Sequence, residues 1–232
     1  MKFTQALQSL RQAQKTSKGV SLYSRWVNRP LGRVFAAAAA SVGIGPNAVT
    51  GLSAVATAAG LVLLVLAPIS LATGIGVAAL LVVGFALDSA DGQVARLTGK
   101  SSPAGEWLDH VVDAGKMVAV HAAVLIALWR SDAEPAWFAV ALAYQFVSVV
   151  FFAALTLFPL LHRGEKSAAG APSTLRSIGL LPADYGILAL AFLLWGAQPI
   201  FLVVYAALFA ATTLIAGALC VKWFRGLSAP LP

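Results

Sequence analysis

A chain of 232 residues is long enough for one domain, and a composition that is 59% hydrophobic, with mean hydropathy +0.85, excludes an ordinary soluble one. The formal net charge of +7 does not point to nucleic acid, because the basic residues flank apolar stretches and carry no recognisable nucleic-acid motif; anionic lipid head groups are their expected partner. The single cysteine, Cys220, excludes an intramolecular disulfide.

Residues 1–45 read as a cytoplasmic N-terminal segment of interfacial helices. Phe3, Ala6, Leu7 and Leu10 recur at helical spacing against Lys2, Gln5, Gln8 and Arg11, the pattern of an amphipathic helix lying on a membrane surface. A polar linker, Gln12 to Ser21, follows, and Pro30 to Val42 reads as a second, juxtamembrane helix. Gly43, Gly45 and Pro46 then break the chain. The polar, basic opening contains no early apolar stretch, so no cleavable signal peptide is expected and the first span serves as insertion signal.

A spanning helix needs about 20 mostly apolar residues. Six such stretches are predicted within a transmembrane catalytic domain at 46–223: 47–67, 71–95, 104–129, 136–160, 183–198 and 199–222, with a short cytoplasmic tail at 224–232. The fold class expected is therefore an all-α integral membrane protein with six transmembrane helices. Trp26, Trp107, Trp129, Trp137 and Trp223 fall near segment ends, as an aromatic belt requires.

Orientation follows from lysine and arginine, which short cytoplasmic loops retain. Lys2, Arg11, Lys15, Lys18, Arg25, Arg29 and Arg33 precede the first span; Arg96 and Lys100 follow the second; Arg163, Lys166 and Arg176 follow the fourth; Lys222 and Arg225 end the chain. The remaining loops carry only Arg130. Both termini, and the polar ends of the second and third spans, are expected in the cytoplasm of a multi-pass cell-membrane protein.

Five of the nine acidic residues lie between Asp88 and Asp113, in the string DSADGQVARLTGKSSPAGEWLDHVVD. A carboxylate near lipid costs several kcal/mol unless it faces a polar cavity or binds a cation, so four aspartates together imply a metal site. Asp88 and Asp91 are three apart and Asp109 and Asp113 four apart, so each pair shares a helix face. If the two segments are antiparallel neighbours joined by Thr98 to Pro103, the acidic stripes oppose each other. An all-oxygen ligand set suits Mg2+ or Mn2+. Zinc is disfavoured, because Cys220, His110, His121 and His162 lack ligand spacing.

The string fits D-x2-D-G-x2-A-R-x8-G-x3-D-x3-D without a gap, through Asp88, Asp91, Gly92, Ala95, Arg96, Gly105, Asp109 and Asp113. On these residues the chain resembles the CDP-alcohol phosphotransferase family, class I. PNAVT at 46–50 is similar to the family's usual start of its first span, with Pro46 at the helix start and Asn47 able to cap it. The resemblance implies that a hydroxyl attacks the β-phosphorus of a CDP-alcohol and expels CMP, the chemistry of a phosphotransferase for substituted phosphate groups, acting in phospholipid biosynthesis. It implies that Asp88, Asp91 and Asp109 hold metal, two ions in all, with Asp113 completing the site and acting as general base. It also implies a juxtamembrane helix and a homodimer formed through the spans.

Around this motif several residues admit two readings. Gly92 and Gly105 either allow close backbone approach to the pyrophosphate or serve helix packing; inside the motif the first is preferred. Ala95 leaves room for the cytidine, and Arg96 either grips a phosphate through its planar fork or marks a cytoplasmic loop. Lys116, three residues past Asp113, either binds phosphate or offsets the acidic cluster. Glu106 reads as a favourable charge at a helix start rather than a ligand, and His110 and His121 as buried, hydrogen-bonded histidines.

The motif describes the donor and leaves the acceptor open. CDP-diacylglycerol is the expected donor, with a phosphorylated polar alcohol such as inositol phosphate or glycerol 3-phosphate as acceptor; a soluble CDP-alcohol such as CDP-inositol is the alternative. SRWVNRPLGR at 24–33 is similar to the opening of branches that handle inositol phosphate, choline or ethanolamine head groups. In the loop HRGEKSAAGAPSTLR, Arg163, Lys166 and Arg176 either clamp an acceptor phosphate or only satisfy the positive-inside rule. An intramembrane prenyltransferase would need a second aspartate-rich motif and more spans, and an intramembrane cation transporter would not need the glycine, alanine and arginine pattern.

Overall fold

The computed structural model describes residues 1–12, 19–162 and 173–228, and these are almost wholly helical. Five helices are long and apolar enough to cross a membrane: α3 (Pro46–Leu66), α4 (Leu71–Thr98), α5 (Pro103–Arg130), α6 (Pro135–Leu161) and α9 (Gln198–Leu227). Their ends carry local signals that the sequence supplies. Pro46, Pro103 and Pro135 sit in the first turns of α3, α5 and α6, where a missing N–H costs nothing. Ser70 caps α4 by accepting from Thr73 N, and Ser102 caps α5 by accepting from Gly105 N. Gly99, at φ 68°, closes α4 in the left-handed conformation that glycine adopts without strain. The short turn between Thr98 and Pro103 is as expected.

The fifth expected span is different. Residues 183–198 form only a short helix, α8 (Tyr185–Ala191), running into a 3-10 turn, Phe192–Leu194. Ten helical residues reach about 15 Å, half of a hydrocarbon core of about 30 Å. The stretch is broken because Gly196 meets α4 at its start: a Cβ there would lie 2.4 Å from Leu71 N, so the chain must turn before α9 begins. Pro182 sits in the first turn of a separate 3-10 segment, Leu181–Ala183, just before α8. α8 runs antiparallel to the first half of α4, with Tyr185 against Phe85 at its start, at a ring separation of 5.2 Å, and Phe192 against Gly74 at its end.

α3 is the pivot of the assembly. It packs along α4 and also along α5, while α4 and α5 pack little on each other. The α3–α4 contact is close: Ser53 donates its hydroxyl to the Gly84 carbonyl at 2.6 Å, and a Cβ on Gly84 would lie 2.4 Å from Thr57 Oγ1. The two acidic helices share α3 as a common partner, and their acidic stripes oppose each other as expected: one oxygen from each of Asp88, Asp109 and Asp113 lies within 4.8 Å of the others. The main core lies at the other end, where Leu64, Leu81, Val124, Leu128, Phe192, Trp195, Phe201 and Tyr205 are buried together.

Before α3 lie two further helices, α1 (Phe3–Gln12) and α2 (Arg29–Ser41). The apolar stripe of α1 has a protein partner: Ala6 and Leu10 are buried in a second cluster with Ala36, Ala37, Val49, Ala90 and Val94. The linker residues 13–18, Arg163 and Lys166 of the expected acceptor loop, and 229–232 lie outside the described residues. α7 (Thr174–Gly179) carries Arg176, and Leu227 rather than 222 ends the last helix.

Candidate metal centre and donor cavity

The last three turns of α4 and the first three of α5 carry the whole motif. Asp88, Asp109 and Asp113 each present one carboxylate oxygen within 4.8 Å of the others, a half-buried cluster. Lys116, one turn beyond Asp113, reaches across the opening between the helices: its ammonium pairs with Asp88 Oδ1 and lies 3.0 Å from Asp113 Oδ1. Of the two readings left open for Lys116, the geometry gives it the second, offsetting the acidic cluster.

Asp91 faces differently. It is buried, its Oδ2 accepts from the Thr50 hydroxyl at 2.6 Å, and its Oδ1 accepts from Gly92 N. It borders, with Asp109, a cavity of about 520 Å³ at the open end of the helices. Pro46, Asn47 and Thr50 of α3, Gly92, Ala95 and Arg96 of α4, and Gly105 and His110 of α5 line the same cavity. Every fixed residue of the motif except Asp88 and Asp113 thus meets there. Those two stand with Lys116 one turn deeper.

The two motif glycines differ in their surroundings. A Cβ on Gly92 would meet only Arg96 Nη1, at 3.4 Å, and one on Gly105 would meet the Asn47 and Ser102 side chains. By contrast, Cβ atoms on Gly74 or Gly84 would strike neighbouring backbone or a buried hydroxyl. Both glycines line the cavity, Gly92 with little against it and Gly105 close to Asn47 of α3.

At the rim, Arg29 of α2 lies close enough to Arg96 that burial and that neighbouring charge both lower its pKa. Two guanidinium groups held near each other suit an anion. Gln93 ties α2 to this edge by donating to the Arg29 carbonyl at 3.4 Å. Arg176 is exposed and borders neither this cavity nor the groove described next.

A second cavity, of about 590 Å³, continues down the same α3–α5 seam. Its walls are Ala54, Ala58, Leu61, Val62 and Val65 from α3 and Val112, Gly115, Ala119, Ala122 and Ile126 from α5, with Thr57 and Lys116 at the polar end. The remaining candidates are structural. His121 is buried, with Nδ1 2.7 Å from the Tyr205 hydroxyl and Nε2 2.9 Å from Ser148 Oγ, as expected of a core histidine.

Sequence reasoning missed two features. Asn47, Thr50, Ser53 and Thr57 recur at helical spacing along an otherwise apolar first span, and this polar stripe is the part of α3 that faces the aspartates and α4. The second is Asp184, a buried carboxylate. Its Oδ2 accepts from the hydroxyls of Ser21 and Ser24, the latter at 2.6 Å, and its Oδ1 from Gly186 N at 2.7 Å. It pins the segment before α2 to the start of α8, and nothing local in the sequence announces a contact across that distance. Burial, with Asp184 nearby, also raises the Tyr23 pKa.

The residues present fit a hard divalent cation: three carboxylates converge on one point, all donors are oxygens, and no thiolate or imidazole intrudes among the described residues. Among known families, the model described as CDP-alcohol phosphatidyltransferase matches residues 44–223, which covers α3 to α9 and the whole motif. No curated protein matches the chain.

Proposed function

Because this chain belongs to the CDP-alcohol phosphatidyltransferase family, we propose that it moves a phosphatidyl group from CDP-diacylglycerol to the hydroxyl of a phosphorylated polar alcohol, such as inositol phosphate or glycerol 3-phosphate, and releases CMP. Transfer from a CDP-alcohol to an alcohol acceptor is what the family does; the lipid donor and phosphorylated acceptor are our reading. The observation that carries it is the succession of two cavities on one seam. A polar mouth bordered by Asp91, Arg96 and Asp109 leads to an apolar groove between α3 and α5. A nucleotide head with acyl chains attached has that distribution of polarity, and a soluble CDP-alcohol would leave the groove without an occupant.

In this reading Asp88, Asp91, Asp109 and Asp113 would hold the divalent metal, Mg2+ or Mn2+. When bound, the metal neutralises the pyrophosphate and polarises its phosphorus–oxygen bonds. Gly92, Ala95 and Gly105 leave room for the nucleotide, and Arg96 binds a phosphate with Arg29 beside it. Asp113 takes the proton from the acceptor hydroxyl. That oxygen forms a bond to the β-phosphorus, the bond from the β-phosphorus to the bridging oxygen breaks, and CMP leaves with the bridging oxygen. Proximity of base and hydroxyl is the requirement.

Six crossings remain our reading of the topology, with residues 183–198 forming the fifth as a broken segment. Support comes from its two ends. Asp184 bonds Ser21 and Ser24 ahead of α2, while Gly196 abuts Leu71 at the far end of α4. The positive-inside pattern supports a cytoplasmic mouth and cytoplasmic termini. CMP release from purified protein, with CDP-diacylglycerol, Mg2+ and a panel of acceptors, tests the function. Activity with CDP-inositol and none with CDP-diacylglycerol would overturn the lipid-donor reading.

A further inference from the structure

Lys116 is the one lysine among the described residues whose ammonium is buried against carboxylates: its side chain is 8% exposed and bridges Asp88 on α4 and Asp113 on α5. Those two aspartates also belong to the cluster whose oxygens lie within 4.8 Å of one another. α4 and α5 pack little on each other, so the ammonium is what joins the acidic stripes at this depth. Two like-charged helix faces held near each other in a medium of low dielectric repel strongly unless a cation lies between them.

A divalent ion bound to Asp88 and Asp113 would lie within about 2.0–2.6 Å of their oxygens, in direct contact with the ammonium or in its place. Either way the two cations oppose each other. A place to which the ammonium can move is already built. Lys116 and Thr57 together border the polar end of the α3–α5 groove, and the buried Thr57 hydroxyl, with the Tyr185 hydroxyl beside it, lacks a well-formed hydrogen bond among the described residues. Thr57 Oγ1 is an acceptor for an ammonium leaving Asp88.

We propose that Lys116 is a resident cation of the aspartate cluster, holding Asp88 and Asp113 together in the absence of metal and competing with the divalent ion for their oxygens. It is a positioning residue, acting through the carboxylates. Metal loading at the Asp88–Asp113 edge then requires the ammonium to withdraw toward Thr57. The Asp91–Asp109 edge, which borders the polar mouth, carries no such competitor.

The inference rests on the metal-dependent reading above, so its test reads metal binding directly. Mn2+ binding to the purified full chain in detergent is measured by the paramagnetic resonance of free Mn2+, and unfolding is measured with and without Mn2+. Lys116→Met should bind Mn2+ about tenfold or more tightly than the native chain, since removing a buried neighbouring charge shifts such an equilibrium by an order of magnitude. Its unfolding temperature without metal should fall, and the rise on adding Mn2+ should grow. Lys116→Arg, which keeps the charge, should bind Mn2+ as the native chain does. Unchanged or weaker Mn2+ binding by a folded Lys116→Met overturns the proposal.

If Lys116→Met does not fold, acetylation of Lys116 in the native chain, read by mass spectrometry, takes its place. Mn2+ should increase labelling as the ammonium leaves the carboxylates, and equal or lower labelling overturns the proposal. A native chain that binds no Mn2+ would instead remove the metal reading itself, a result visible before any variant is made.

Discussion

The Thr50 hydroxyl donates to Asp91 Oδ2 at 2.6 Å, joining the first turn of α3 to the motif on α4. Both side chains are buried. With Gly92 N bonded to the other oxygen, the bond holds the Asp91 carboxylate in one orientation at the mouth, so a residue outside the motif helps to orient one inside it.

Thr50→Val removes that donor with little change in volume. A hydrogen bond to a charged group contributes about 1.5–3 kcal/mol, so the KM for the CDP-alcohol donor should rise roughly tenfold or more. Thr50→Ser, which keeps the hydroxyl, should remain near native. Donor KM values of the two variants, measured by CMP release, separate loss of the bond from loss of the methyl group.

The extent to which this site was legible in sequence depends on the kind of contact. The fixed spacing of Asp88, Asp91, Asp109 and Asp113 located the cluster, because within one helix sequence spacing is geometry. The first four spans and the last were legible from hydropathy, and the short connection from Thr98 to Pro103 from its residues. Thr50 was hidden because a threonine in an apolar helix normally satisfies its own turn, and only the approach of α4 gives it a carboxylate. That α3 packs along both α4 and α5, while those two share little backbone contact, was hidden as well, since a short connection says nothing of a third helix. The break in 183–198 depends on where Gly196 meets Leu71, and Asp184 meets Ser21 and Ser24 from more than 150 residues away. Neither is a local property.

Gly115 borders the apolar groove, and a Cβ there meets nothing within 4 Å. Gly115→Leu should therefore fold normally while filling part of the groove. A displaced acyl chain would lose on the order of ten carbon contacts at about 0.1–0.2 kcal/mol each, raising the KM for CDP-diacylglycerol roughly tenfold. A water-soluble CDP-alcohol analogue without acyl chains should be unaffected as a competitive inhibitor. Equal effects on both would show that the groove does not hold the lipid.

Asp184→Ala leaves the hydroxyls of Ser21 and Ser24 and the Gly186 N–H without their acceptor. Leaving buried donors unsatisfied costs about 1–3 kcal/mol each, so the unfolding temperature in detergent should fall by several degrees. The segment before α2 should also become more open to limited proteolysis. Native-like protection of residues 19–28 would mean that Asp184 does not hold them.

Arg176 is exposed on α7, and Arg163 precedes it in the loop outside the described residues. If they grip an acceptor phosphate, Arg176→Ala or Arg163→Ala should raise the acceptor KM roughly tenfold, at about 1.5–3 kcal/mol per charge-assisted bond. The donor KM should barely change. Acceptor kinetics untouched by both substitutions, or an unphosphorylated alcohol as the best substrate, would return these residues to a topological role.

The most direct measurement is CMP release from CDP-diacylglycerol by the native chain and Asp113→Asn, at saturating Mg2+ with a phosphorylated acceptor. Losing a general base lowers turnover by about 10^2 to 10^4. The native chain should release CMP only when metal and acceptor are both present, and Asp113→Asn should lose turnover by that factor while its donor KM changes little. CMP release that needs no metal, or near-native turnover by Asp113→Asn, would contradict the assignment of this aspartate cluster as the catalytic centre.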